Sequence, residues 1–262
     1  MGFFYETQEP HIPEEQGQRP RKTGFARLME LWSRDGKQYF LAGLLAFLGL
    51  IPYIAGVSFS IMGHTVLPVL LSGIFGGMAA APQICGAADT ILRSMRDEAG
   101  WWWLTYQRAW KRNAGASLVP GAVFGLISAV WLFALYHVAE PGAFLMLAAA
   151  ALVLLGLAGT VLPMLVLMEL PFWGLVKNAV LLLLGHLPKI LLAALVQLAY
   201  FGVILWWFPA SLLIFLAGSV WVPLSVSLLL VYPILDSHFG IEAAIGDIRR
   251  QEQAHLRESI GK

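Results

Sequence analysis

Cysteine and charge are what this sequence has least of. A single cysteine in 262 residues, Cys85, excludes an internal disulfide and any metal centre built from several thiolates. Set within an apolar run, it reads as a small packing residue. Charged side chains make up 13% of the chain, about half of what a soluble domain carries. A net charge of +1 gives no basic excess to displace counterions from a phosphate backbone, so no nucleic-acid partner is expected. Paired metal-ligand histidines, a nucleophile elbow and a phosphate-cradling glycine loop are all missing, and the 6 histidines are scattered. Neither an enzyme nor a cofactor is expected.

Apolar residues are abundant instead: 58% of the chain is hydrophobic and the mean hydropathy is +0.72, which makes lipid the expected solvent. A bilayer core of about 30 Å takes roughly 20 helical residues, and the apolar runs that meet or approach this length are Tyr39–Val57, Val66–Ala88, Ser117–His137, Phe144–Met168, Ile190–Phe208 and Ala210–Leu235. The expected fold is all-α, a polytopic membrane protein whose helices form three in-out-in hairpins with cytosolic interfacial helices. Residues 1–24 read as a polar tail, 25–236 as the membrane domain with inner amphipathic segments at 25–35 and 93–116, and 237–262 as a second tail. The long polar stretch before Tyr39 does not resemble a cleavable signal, so the first helix is expected to remain.

Cations give the orientation. Of the 17 Lys and Arg residues, one group ends at Lys37 before the first run, Arg93 to Arg112 lie between the second and third, Lys177 and Lys189 precede the fifth, and the rest follow the sixth. All fall on one side, which predicts an even number of crossings and both termini in the cytoplasm of a cell membrane. Of the 10 tryptophans, Trp32, Trp101, Trp102, Trp103, Trp110 and Trp173 are assigned to the inner interface, and Trp131, Trp206, Trp207 and Trp221 to the outer one.

Within 25–35, Phe25, Leu28, Met29 and Trp32 form one stripe, with Arg27, Glu30 and Arg34 on the other, as in a helix lying on a membrane. Trp103, Tyr106 and Trp110 share a face in the next such segment, and Trp173 with Lys177 suggests a third. The segments and the hairpins after them form a weak threefold repeat. The returning helices carry Pro82, Pro163 and Pro233, candidate kinks, each followed by an acid: Asp89, Glu169 or Asp236. Gly73 and Gly77, and Gly121 and Gly125, are spaced four apart, as close helix packing requires. No charged side chain falls near the middle of a run, which disfavours an ion-coupled transporter; Gln83, Gln197 and Tyr200 are the polar groups at depth.

The densest segment runs from Arg93 to Gly121, crowding charges of both signs with aromatic rings. Here the sequence resembles the YesL-like family of bacterial integral membrane proteins, a domain of unknown function. The resemblance rests on Met1-Gly2-Phe3-Phe4, the triplet Arg96-Asp97-Glu98, Trp102, Tyr106, and Ala109-Trp110-Lys111 with Asn113, Ser117, Pro120 and Gly121. It implies a bacterial inner membrane location and an association with carbohydrate uptake systems of the ATP-binding-cassette type, and it carries over no catalytic or ligand residue. The expected function is therefore an accessory or scaffold component of such an importer. Trp32, Arg96, Asp97, Glu98, Trp102, Tyr106, Trp110, Lys111 and Asn113 are its candidate contacts with a transporter subunit or with membrane lipids. The alternative is an independent permease or channel for a small neutral solute.

Overall fold

A computed structural model describes residues 22–98, 100–207, 210–211, 218 and 220–247. The described elements are α1 (Gly24–Gly63), α2 (Val66–Met95), α3 (Trp102–Asn113), α4 (Leu118–His137), α5 (Pro141–Leu167), α6 (Phe172–Gly185), α7 (Leu187–Trp206) and α8 (Trp221–Phe239). Residues 241–247 form a further helical turn, entered through Gly240, whose φ of +60° ends α8. Helices α1, α2, α4, α5, α7 and α8 are long and apolar enough to cross a membrane, and no strand element occurs among the described residues. The chain is an all-α polytopic membrane protein. The Met1–Phe4 motif and most of both expected tails lie outside the described residues.

One boundary differs from the sequence reading, and another falls largely outside the described residues. Segment 25–35 is not a separate helix, because α1 runs unbroken for 40 residues, about 60 Å, twice the depth of a bilayer core. Between Trp32 and Tyr39 the weakest helix former is Gly36, whose cost of about 1 kcal/mol is too small to stop a helix held by tertiary contacts. The sixth crossing is described from Trp221 rather than Ala210, with much of 210–220 outside the described residues. α3 and α6 do precede the second and third hairpins as short helices, so the order short helix, crossing, crossing recurs there. Pro82, Pro163 and Pro233 each lie inside a continuous helix, as does Pro52 in α1.

One aromatic assignment is corrected. The interfacial pattern assigns Trp221 to the outer interface and Trp32 to the inner, yet their rings meet edge to face with centroids 5.4 Å apart, and Tyr39 also touches Trp221. Two rings in contact cannot belong to opposite belts. The Trp32 indole N–H donates to Ser225 Oγ at 3.0 Å, so this cluster ties α1 to α8.

α2 is the hub, touching α1, α3, α4, α5 and α8. Its crossing with α4 is made by glycine: a Cβ on Gly77 would stand 2.2 Å from the Gly121 carbonyl oxygen, and one on Gly125 would stand 2.3 Å from the Gly73 carbonyl oxygen. On its other side Gly76 meets the Tyr53 backbone of α1, where a Cβ would be 2.6 Å from Cα. Backbones this close gain dispersion and weak C–H···O contacts that bulkier residues would prevent. The crossing spans a π-helical turn at Ser72–Gly76, and Tyr53 joins α1 to α4 by a 2.8 Å hydrogen bond to Ser128. The glycine pairs thus pack within the bundle. Beyond them, His64 Nδ1 and His137 Nε2 lie 2.9 Å apart, linking α1 to α4 at the end remote from the arginines.

Candidate functional site

At the other end, where α1 begins and α2 stops, four arginines and three acids interlock with Arg112 and Asp35. The connection after α2 turns at Asp97, which adopts a left-handed backbone (φ +57°). That turn aims its carboxylate at α1: Arg27 donates to Oδ2 at 2.8 Å and Arg34 to Oδ1 at 2.6 Å. Arg27 also donates to the Met95 carbonyl at 3.1 Å and Arg34 to the Ser94 carbonyl at 2.8 Å, so two guanidiniums stitch the last turn of α2 to α1. Asp35 accepts from Arg34 Nε at 2.8 Å and from the Ser94 hydroxyl.

Deeper in, Asp89 accepts from Arg93 one turn on at 2.8 Å and from Arg112, at the end of α3, at 3.2 Å. Arg112 also donates to the Val166 carbonyl of α5 at 3.2 Å, bringing three elements together at one carboxylate. Glu98 pairs with Arg96 at 2.6 Å and with Arg93 at 3.5 Å. Buried charges persist where partners of opposite sign meet them, and here each acid receives at least one guanidinium.

Asp97 shows which effect wins. Burial alone would raise its carboxyl, but hydrogen bonds from Arg34 and Arg27, with their charges, hold it below the usual carboxylate range. A carboxyl lowered on folding contributes stability that is complete above the unfolded value, about 3.9, and lost as pH falls through the folded one. The thermal midpoint of the wild type in detergent should therefore drop toward that of Asp97→Asn below about pH 4 and exceed it at neutral pH. Parallel pH curves for the two proteins would refute this account.

α3 separates the residues of the resemblance by face. Thr105, Tyr106, Ala109 and Asn113 are buried, while Trp103, Leu104, Arg108, Trp110 and Lys111 are exposed. The Trp103 and Tyr106 rings stack with centroids 6.2 Å apart, as the expected shared face requires, but Tyr106 turns inward while Trp103 and Trp110 stay exposed, so the buried stripe lies one position away. Tyr106 lies on Gly86, where a Cβ would stand 2.7 Å from its ring; burial pushes its hydroxyl above the usual phenol range. Asn113 turns its amide back to the Ala109 carbonyl at 2.9 Å.

The expected contact residues divide accordingly. Arg96, Tyr106 and Asn113 are buried, Glu98 is enclosed by arginines, and Trp32 and Trp102 are half-buried, so all six pack into the end of the bundle. Asp97 is exposed but bound to two arginines. Trp110 and Lys111 stand outward, with Trp101 80% exposed at the start of the helix. Arg27 is the clearest departure: the amphipathic pattern puts it on the polar stripe opposite Phe25, Leu28, Met29 and Trp32, yet it is 7% exposed, because Asp97 and Met95 cover it. Sequence reasoning missed the pairing role of Arg27, Arg34, Asp35, Arg93 and Ser94; the pairs Asp89–Arg93 and Arg27–Glu30, each about one helical turn apart, carried a local signal.

Between α1, the end of α2 and the start of α3 lies a cleft of about 280 Å³, with Arg34, Asp35, Gln38, Ser94 and Thr105 among its walls. Among the described residues, no three His, Cys, Asp or Glu side chains are grouped to hold a metal ion. No protein family, curated protein or solved structure matches the chain.

Proposed function

We propose that the protein is an accessory or scaffold component of the bacterial inner membrane, with both termini in the cytoplasm, that associates with a carbohydrate importer of the ATP-binding-cassette type. The single observation that carries the docking role is α3: its inner stripe is fixed by buried contacts while its outer face presents Trp103, Leu104, Trp110 and Lys111, with Trp101 beside them. A rigid element offering aromatic rings and cations has little conformational freedom to lose on binding, which favours both protein partners and lipid headgroups. The choice of importer rests on the resemblance in the same segment.

A permease for a small neutral solute has less support. The Gln197 amide donates to Ser227 Oγ at 2.8 Å, bridging α7 and α8, and the Gln83 side chain packs against Gly49.

Affinity pulldown from mild detergent tests the docking role. The wild type should recover importer subunits, and Trp101→Ala combined with Trp110→Ala should lose most of them while eluting as the same monodisperse species. Recovery of no transporter subunit with the wild type would sink the proposal.

A further inference from the structure

The end of the bundle remote from the arginines carries little charge, and two histidines meet there. His64 caps α1 in a left-handed conformation (φ +50°), and His137 is the last residue of α4. Both side chains are exposed, and they bring Nδ1 of His64 to 2.9 Å from Nε2 of His137. The contact pins the turn between α1 and α2 to the end of α4.

The neighbouring atoms fix where the hydrogens are. His137 Nδ1 lies 2.7 Å from the Phe133 carbonyl oxygen, which can only accept, so this nitrogen carries a hydrogen. A neutral His137 then has its lone pair on Nε2, and the hydrogen in the contact belongs to His64 Nδ1. One further proton, taken on His64 Nε2 at the far side of the ring, leaves the bond in place. A second can go only to His137 Nε2, and two N–H groups then point at each other with a cation behind each. The bond does not survive that.

The surroundings do not oppose this change. The last turn of α1 and the first helical segment of α2, Val66–Leu71, hold no titratable side chain. On α4 the Tyr136 ring meets His137 edge to face at 5.4 Å, and Glu140, exposed just ahead of α5, is the nearest acid along the chain. A carboxylate there can only attract a charged ring. The Phe133 ring, its centroid 4.2 Å from that of His137, offers the imidazolium a π face. Deeper in the bundle, the glycine crossing and the Tyr53–Ser128 bond contain no imidazole or carboxylate, so the response is local to the turn.

Counting protons gives the direction. The closed pair holds one proton beyond its neutral form and the parted pair holds two, so falling pH favours the parted state. Histidine is the side chain that ordinarily changes charge between about pH 5 and 8. From this juxtaposition of two imidazoles sharing one hydrogen, we infer that the contact is a proton-operated latch, holding the α1–α2 turn on α4 near neutrality and releasing it in acid. In the orientation proposed above it faces the outside and reads the pH of the surrounding medium; that choice of side alone rests on the proposed orientation.

The test puts nitroxide labels at Met62→Cys and Ala139→Cys, exposed positions beside the two histidines, in the full-length protein in lipid nanodiscs. Cys85, 1% exposed, takes no label. Dipolar broadening of the spectrum reports the separation of the turn from α4. In the labelled parent it should be present at about pH 8, largely lost at about pH 4.5, above the range in which the Asp97 pair is lost, and regained on neutralisation. His64→Asn, which puts a residue tolerant of left-handed backbone at the turn, and His137→Ala should each show the weak, acid-like signal at both pH values. A parent signal that does not change with pH, a variant that keeps the parent's broadening at about pH 8, or a variant that responds to acid as the parent does overturns the inference.

Discussion

Gly77→Leu is expected to leave little folded protein. The Cβ alone would stand 2.2 Å from the Gly121 carbonyl oxygen and 2.9 Å from the Gly125 Cα, and both are backbone atoms that cannot rotate away. Relief requires α2 and α4 to separate, which would also strip the Gly73, Gly76 and Tyr53 contacts on either side. Overpacking a core usually costs about 1–3 kcal/mol, and a clash against backbone at a three-helix crossing belongs at or above the top of that range. The comparison is Gly115→Ala, where nothing lies within 4 Å of the added methyl and the change should stay within about 0.5 kcal/mol. Thermal unfolding followed by size-exclusion chromatography measures both. A Gly77→Leu protein that elutes and melts like the wild type would mean that the crossing is not as drawn.

Asp89→Ala is expected to be nearly as damaging, for an electrostatic reason. The Asp89 carboxylate is 3% exposed and accepts from Arg93 and Arg112, so its removal leaves two guanidiniums facing each other across a vacated site. Removing one partner of a buried pair costs about 3–5 kcal/mol, and the partners that remain, Glu98 for Arg93 and the Val166 carbonyl for Arg112, place the loss toward the lower end of that range. Asp89→Asn keeps the shape without the charge and should fall between the alanine variant and the wild type. Lys111→Ala, at an exposed position, should change the midpoint little. Because Arg112 also holds the Val166 carbonyl, the loss should loosen α3 from α5, and faster amide exchange at the end of α3 is the local readout. If Asp89→Ala melts with the wild type, the network is not a source of stability.

How far the sequence carries differs between crossings and site. Hydropathy alone places α2 from Val66 and ends α4 at His137, because a bilayer demands one uniform property over a fixed length. The four-residue glycine spacing likewise points to close packing before any partner is known. The ion-pair network is a different matter. Arg27 meets Asp97 from 70 residues away, and nothing local to 25–35 distinguishes an arginine that pairs from one that is solvated. On α3, tryptophans at both 102 and 103 let two overlapping stripes satisfy helical periodicity, and only contact with Gly86 and its surroundings decides between them. Trp221 fails for the same reason: an interfacial preference is a statistical tendency of indoles, and the Trp32 ring and Ser225 hydroxyl override it.

The interlocked arginines have a consequence for biogenesis. In the orientation proposed above, the positive-inside signal would act on the nascent polypeptide, before Arg27 has met Asp97 or Arg112 has met Asp89, when each cation is still bare and resists translocation. Assembly then neutralises those same cations with carboxylates. Residues that first act as a directional brake thereby become mortar, and a substitution among them is open to two failures, one of insertion and one of the finished bundle.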